Sequence, residues 1–153
     1  MKLQDHHDHE VFSLVASRGF EIFGIDEIPK EITSIEKLFS LLPQILRNAP
    51  APTGAVDAPL RRGQYLSGVG LVLGMLIESA FGWRLCEIRK DDENVDDGVM
   101  CVVSPDMGHF FYPIGMAYKE AHWQGGETHV IYEKIKRGDL PDVPPGSLHE
   151  IKL

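Results

Sequence analysis

"YLSGVGLVLGMLI" (residues 65–77) is the stretch whose reading decides the fold. It is almost wholly apolar and is closed by Gln64 and Glu78. A bilayer span needs about 20 apolar residues, and a shorter bounded run is more often a helix buried inside a protein. The stretch therefore reads as the middle of a central core helix over 61–82, ended by Gly82, with no membrane partner. Gly68, Gly70 and Gly74 inside it would each cost about 1 kcal/mol against alanine. Their use is close approach: without a Cβ, this helix can seat another helix, or a second copy in a homodimer built on its glycine face. They do not form a dinucleotide loop. That fingerprint needs a preceding strand and GxGxxG spacing, whereas "APLRRGQY" precedes here and the third glycine is one position late.

Upstream, "TSIEKLFSLLPQILRN" (33–48) is a second helix. Ile35, Leu38, Phe39, Leu42, Ile45 and Leu46 make one apolar stripe. Thr33 and Glu36 have capping-box spacing, and Pro43 predicts a kink or a break. "DHEVFSLVASRG" (8–19) reads as a first helix, capped by Asp5 or Asp8 and ended by Gly19. Residues 20–29 read as an extended connection or edge strand, and "APAPTGAVDAP" (49–59) as an internal loop.

Downstream, β-prone runs at 83–89, 98–104 and 109–114 predict a meander, with "KDDENVDDG" and "PDMG" as its turns. "ETHVIYEKIKRG" (127–138) closes the ordered part as a helix burying Thr128, Ile131, Tyr132 and Ile135. The proline-rich segment 139–153 is an extended tail, with Val143, Leu148 and Ile151 available to lace it onto the body.

The expected fold is a single α+β domain over 1–153: four or five helices on a three- to four-stranded antiparallel meander. Leu38, Phe39, Leu42, Val69, Leu73, Leu76, Leu85, Val102 and Phe111 are the expected core. Length and composition agree, with 153 residues of which 43% are hydrophobic and 25% charged.

A net charge of -8 argues against nucleic acid and suits a basic protein partner. The start, Met-Lys followed by polar and acidic residues, carries no apolar signal region, so a cytoplasmic location with reduced thiols is expected. Cys86 and Cys101 form no zinc spacing. They would be close neighbours if the first two strands pair.

Three groups could carry chemistry. "QDHHDHE" (4–10) puts His6 and His9 one helical turn apart, a start for a metal site that lacks a third ligand. The plainer reading is a solvated, acid-capped helix start. "HEVFS" departs from the HExxH zincin signature at Ser13. The second group is Asp91, Asp92, Glu93, Asp96 and Asp97. Its glycine is one residue late for a calcium loop, and Val103 stands where the closing glutamate belongs. These carboxylates on a hairpin suit a lysine-rich surface. The third group is His109, His122 and His129, which could converge with Asp106 or Tyr112. No nucleophile elbow is present, no cofactor is expected, and strand-bound cysteines are not activated.

Residues 66–113, with "LVLGMLIESAFGW" followed by "GVMCVVSPDMGHFFYP", resemble small uncharacterised bacterial α+β proteins. In these a Leu-Gly helix runs into a Trp-started strand. The resemblance implies a bacterial origin and a helix–meander unit, and no catalytic residue carries over. By analogy with small acidic proteins of this kind, it implies an immunity-type or accessory factor. A non-enzymatic interaction protein meeting a basic partner through the acidic segment is the leading expectation. A metal-dependent enzyme or metal-binding accessory using the histidine cluster is the alternative.

Overall fold

The computed structural model describes residues 2–5, 10–89 and 99–153; the side chains of 2–5, 10, 11 and 89 lie outside the description. In chain order the elements are β1 (Lys2–Asp5), α1 (Glu10–Phe23), α2 (Ile32–Arg47), α3 (Ala58–Phe81), β2 (Arg84–Arg89), β3 (Val99–Val103), β4 (His109–Phe111), α4 (Pro113–Trp123), α5 (Glu127–Arg137) and β5 (His149–Glu150). The class is α+β, as expected. The β2-β3-β4 meander is antiparallel, but the sheet formed by the described residues is five-stranded and mixed. β1 joins one edge antiparallel to β2, and β5 joins the other parallel to β4.

The strand pleat sorts side chains to two faces. Leu85, Val102 and Phe111 face the helices and join the main core. Cys86, Ile88, Cys101, Val103 and Phe110 form a smaller cluster on the other face, with Tyr112 and Leu148 against it. The register agrees residue by residue: Leu85 opposes Val102, Val102 opposes Phe111, Cys86 opposes Cys101 and Val103 opposes Phe110. Each pair shares a face, so apolar matching fixes the alignment.

α3 lies at the centre. Leu66, Val69, Val72, Leu73, Leu76 and Ile77 are fully buried, and each such side chain contributes roughly 1.5–3 kcal/mol. Among the described helices α3 is the one long and apolar enough to cross a membrane, and here its apolar side chains fill the protein core. Gly82, left-handed at φ 70, ends it and donates its N–H to the Glu78 carbonyl at 2.9 Å. All nine expected core residues are buried.

The glycine face of α3 is occupied by the chain's own segments. Gly68 meets Gly19 of α1, Gly70 meets Ile114 of α4, and Gly74 meets Leu85, Val102 and Pro113. These contacts fill the face expected to seat a second copy. They also correct the reading of Gly19 as a terminator: α1 runs through it to Phe23, because bare backbone is what α3 requires there. Residues 20–23 are thus helical, not extended.

Other local expectations change too. Residues 4 and 5 belong to a strand, and α1 begins at Glu10, so neither Asp5 nor "QDHHDHE" as a whole opens the helix. α2 starts at Ile32 behind an extended Glu31, with no side-chain cap, so Thr33 and Glu36 make no capping box. α2 also continues through Pro43 as one helix, held by Ile35, Leu38, Phe39, Leu42 and Leu46, all buried. The third meander strand stops at Phe111. Pro113 then occupies the first turn of α4, where its missing N–H costs nothing. The tail is tied down: Leu148, His149 and Ile151 donate backbone N–H groups to Met107, Gly108 and Phe110.

Adding a methyl group at Gly19 drives it into the Gly68 carbonyl and Val72. Gly19→Ala should therefore lower stability by about 1–3 kcal/mol in urea titration. Leu14→Ala on the exposed side of α1, where Leu14 is 73% exposed, should stay within about 0.5 kcal/mol. Equal effects would mean that α1 and α3 do not meet through Gly19.

Candidate functional site

The β2–β3 ladder ends with Ile88 opposite Val99, which brings the two flanks of the acidic stretch side by side at one end of the sheet. Below that end, Cys86, Ile88, Cys101 and Val103 are buried, so the ladder is a firm base. Val99 is 52% exposed and offers an apolar side chain next to the acidic stretch. Asp91, Asp92, Glu93, Asp96 and Asp97 themselves lie outside the described residues, as do His6 and His9.

The other histidines separate. His122 packs edge-on against Trp123 at the end of α4. His129, on the exposed side of α5, sits 4.0 Å from Glu133 one turn on. His109 lines a cavity, and its neighbour there is His149, directly opposite in the β4–β5 pairing. That cavity, about 150 Å³, is lined also by Lys134, Pro141 and Lys152. His109 Nε2 lies 2.7 Å from the Pro141 carbonyl. A carbonyl only accepts, which assigns the ring proton to Nε2. The pairing of His109 with His149 was missed because 139–153 read as tail. The alternation of His149, Ile151 and Leu153 with Glu150 and Lys152 is a period-2 signal that points to a strand.

Asp106 serves the turn rather than a catalytic group. Its carboxylate accepts from the Gly108 N–H at 2.9 Å and the Ser104 hydroxyl at 2.8 Å. The Gly108 bond, then the Ser104 bond, hold its carboxyl below the usual aspartate range.

Glu120 is a second residue that sequence reasoning missed. It is 3% exposed and caps α5 from α4. Its Oε1 accepts from the Thr128 N–H at 3.0 Å and the Thr128 hydroxyl at 2.7 Å. That arrangement supplies what Gly126, the backbone cap, has no side chain to give. Glu120 also lines a cavity of about 90 Å³ with Pro43, Leu46, Arg47, Gln124 and Gly126. Spacing could have marked it, since Met116, Ala117 and Glu120 share one helical face.

α2 and α5 are clamped at their exposed side. Lys136 donates to Glu36 at 2.9 Å and lies 5.9 Å from the centre of the Tyr132 ring. Burial, then the Glu36 carboxylate, push the Tyr132 hydroxyl up to about 12. Among the described residues, no three His, Cys, Asp or Glu side chains gather as a metal-ligand set.

No family model, curated protein or solved structure matches the chain.

Two outcomes follow from these bonds. Glu120→Ala strands the Thr128 N–H and hydroxyl in a buried place and should cost about 1.5–3 kcal/mol. Glu120→Gln keeps an acceptor and should cost less, so equal losses in thermal melts would contradict the cap. Asp106 has a lowered folded pKa, so its contribution is present above the unfolded value and is lost as pH falls through the folded one. Asp106→Asn should therefore flatten the fall in stability that begins as pH drops below the ordinary aspartate value of about 4. Parallel curves for the variant and the parent would remove this role.

Proposed function

We propose that this chain is a non-enzymatic interaction protein, of the immunity or accessory kind, that meets a basic protein partner through Asp91, Asp92, Glu93, Asp96 and Asp97. The observation that supports this reading best is the β2–β3 register. The ladder anchors both flanks of the acidic stretch on a buried base, with Ile88 opposite Val99. A segment whose two flanks are fixed by a ladder can meet a lysine-rich surface with less ordering entropy than a free tail would lose.

Charge supports it further. A net charge of -8 steers a basic partner from a distance, and five carboxylates concentrate that field locally. The exposed Val99 adds an apolar contact at the edge of the charged stretch. In this reading the acidic stretch sets the association rate and the pairing register, while neighbouring apolar surface sets lifetime. A cytoplasmic location goes with it.

The test separates the acidic stretch from overall charge. One variant converts Asp91, Asp92, Glu93, Asp96 and Asp97 to Asn or Gln. A second neutralises Glu21, Asp26, Glu27, Asp139 and Asp142 instead, leaving the same net charge. The probe is a lysine-rich peptide, with association followed by stopped flow at low and physiological salt. The first variant should associate at least about tenfold more slowly and lose most of its salt dependence. The second should change less. Equal slowing in both would assign the attraction to net charge and defeat the proposal.

A further inference from the structure

Cys86 and Cys101 are direct partners across the β2–β3 ladder, both fully buried, with their Sγ atoms 3.7 Å apart. Directly opposed residues in antiparallel strands have Cα atoms about 4.5–5.5 Å apart, inside the 4.4–6.8 Å range that a disulfide spans. Both Cβ atoms leave the sheet on the same face, the one that carries Ile88, Val103 and Phe110. Bond formation needs side-chain rotation and a small approach, with no change of register.

We propose that Cys86 and Cys101 form a redox-modification site, a dithiol that hydrogen peroxide converts reversibly to a cross-strand disulfide. The two positions are fifteen apart in sequence. The ring closed by the bond therefore contains the whole acidic stretch, whatever that stretch binds.

The contact lets one thiol hold its proton while the other ionises: with the Sγ atoms 3.7 Å apart, either S–H can donate to its partner's thiolate. The neighbouring Cys86 first, and burial second, push the Cys101 thiol far above the usual range. With Cys86 as the thiolate the steps are these, and the exchanged pair reacts in the same way. The Cys86 thiolate attacks one peroxide oxygen. The O–O bond breaks, Cys86 becomes a sulfenic acid, and the departing hydroxide takes a proton to become water. The Cys101 sulfur then attacks the Cys86 sulfur. The S–S bond forms, the S–O bond breaks, and the leaving hydroxide takes the Cys101 proton as a second water. Two electrons pass from the sulfur pair to peroxide, and an added dithiol returns them. Burial makes the forward reaction slow and favours a water-sized oxidant. In a reducing compartment such a bond is transient, as redox-sensing disulfides are.

The experiment uses the full chain, reduced, then exposed to hydrogen peroxide, quenched, and unfolded in N-ethylmaleimide before peptide mapping. The expected product takes up no N-ethylmaleimide and carries a Cys86–Cys101 cross-linked peptide. Dithiothreitol should restore two alkylation sites. Closing a loop of this length should also lower the unfolding constant on the order of 100-fold, seen as a melting temperature roughly 5–10 °C higher. Cys101→Ser, which has no resolving thiol, should accumulate a dimedone-trapped sulfenic acid at Cys86. Two alkylated thiols after exposure, or sulfinic acids without the cross-link, would overturn the proposal. This readout is independent of any binding measurement, so its failure leaves the acidic-stretch reading untouched, and the converse holds.

Discussion

The close crossing of α1 and α3 at Gly19 and Gly68 is the constraint on which the rest of the structure depends. A Cβ on either residue would strike the other helix's backbone. Because neither has one, α1 can lie directly on α3, and Phe12, Ala16 and Phe23 reach the core. The next two glycines along α3 repeat the device. Gly70 admits the first turn of α4, and Gly74 admits the sheet through Leu85 and Val102. Glycine weakens a helix taken alone. Here three of them convert one apolar helix into a hub against which a helix, a helix start and two strands all pack.

From that hub the sheet follows. α3 covers one face, so Leu85, Val102 and Phe111 must point toward it, and the two-residue strand period sends Cys86, Cys101, Val103 and Phe110 to the other. A one-residue slip would exchange the two sets. The same register places the two cysteines opposite each other and sets Ile88 against Val99, the last pair of the ladder. The positions of the thiol pair and of the ladder's end are thus both consequences of how the core is filled.

Much of this was legible in the sequence, for identifiable reasons. α2 and α5 carry apolar stripes strong enough to be read directly, and the run at 65–77 could only be a core helix or a span. The cysteine proximity followed from reading 83–89 and 98–104 as paired strands. The misses share a cause, which is that a tertiary contact overrode a local signal. Gly19 looked like a terminator until α3 was laid against it. Thr33 and Glu36 looked like a cap, but Glu36 reaches Lys136 of α5 instead. Pro113 looked like the end of a strand and proved to be the start of α4. His149 came to His109 only because the tail pairs with β4, a long-range contact that local chemistry does not encode.

A concave, preorganised set of catalytic groups does not emerge among the described histidines, which sit in three separate places. The reading that gathers most of the observations is a glycine-packed scaffold whose β2–β3 ladder sets Ile88 opposite Val99. Its central claim is that α3 is the hub, and site-resolved hydrogen exchange tests that most directly. Amides of Leu71 to Ile77 in α3 should exchange only through global unfolding, together with those of Leu85 and Val102. If α3 exchanged through a smaller opening while the sheet stayed protected, the helix would not be the element on which the fold is built.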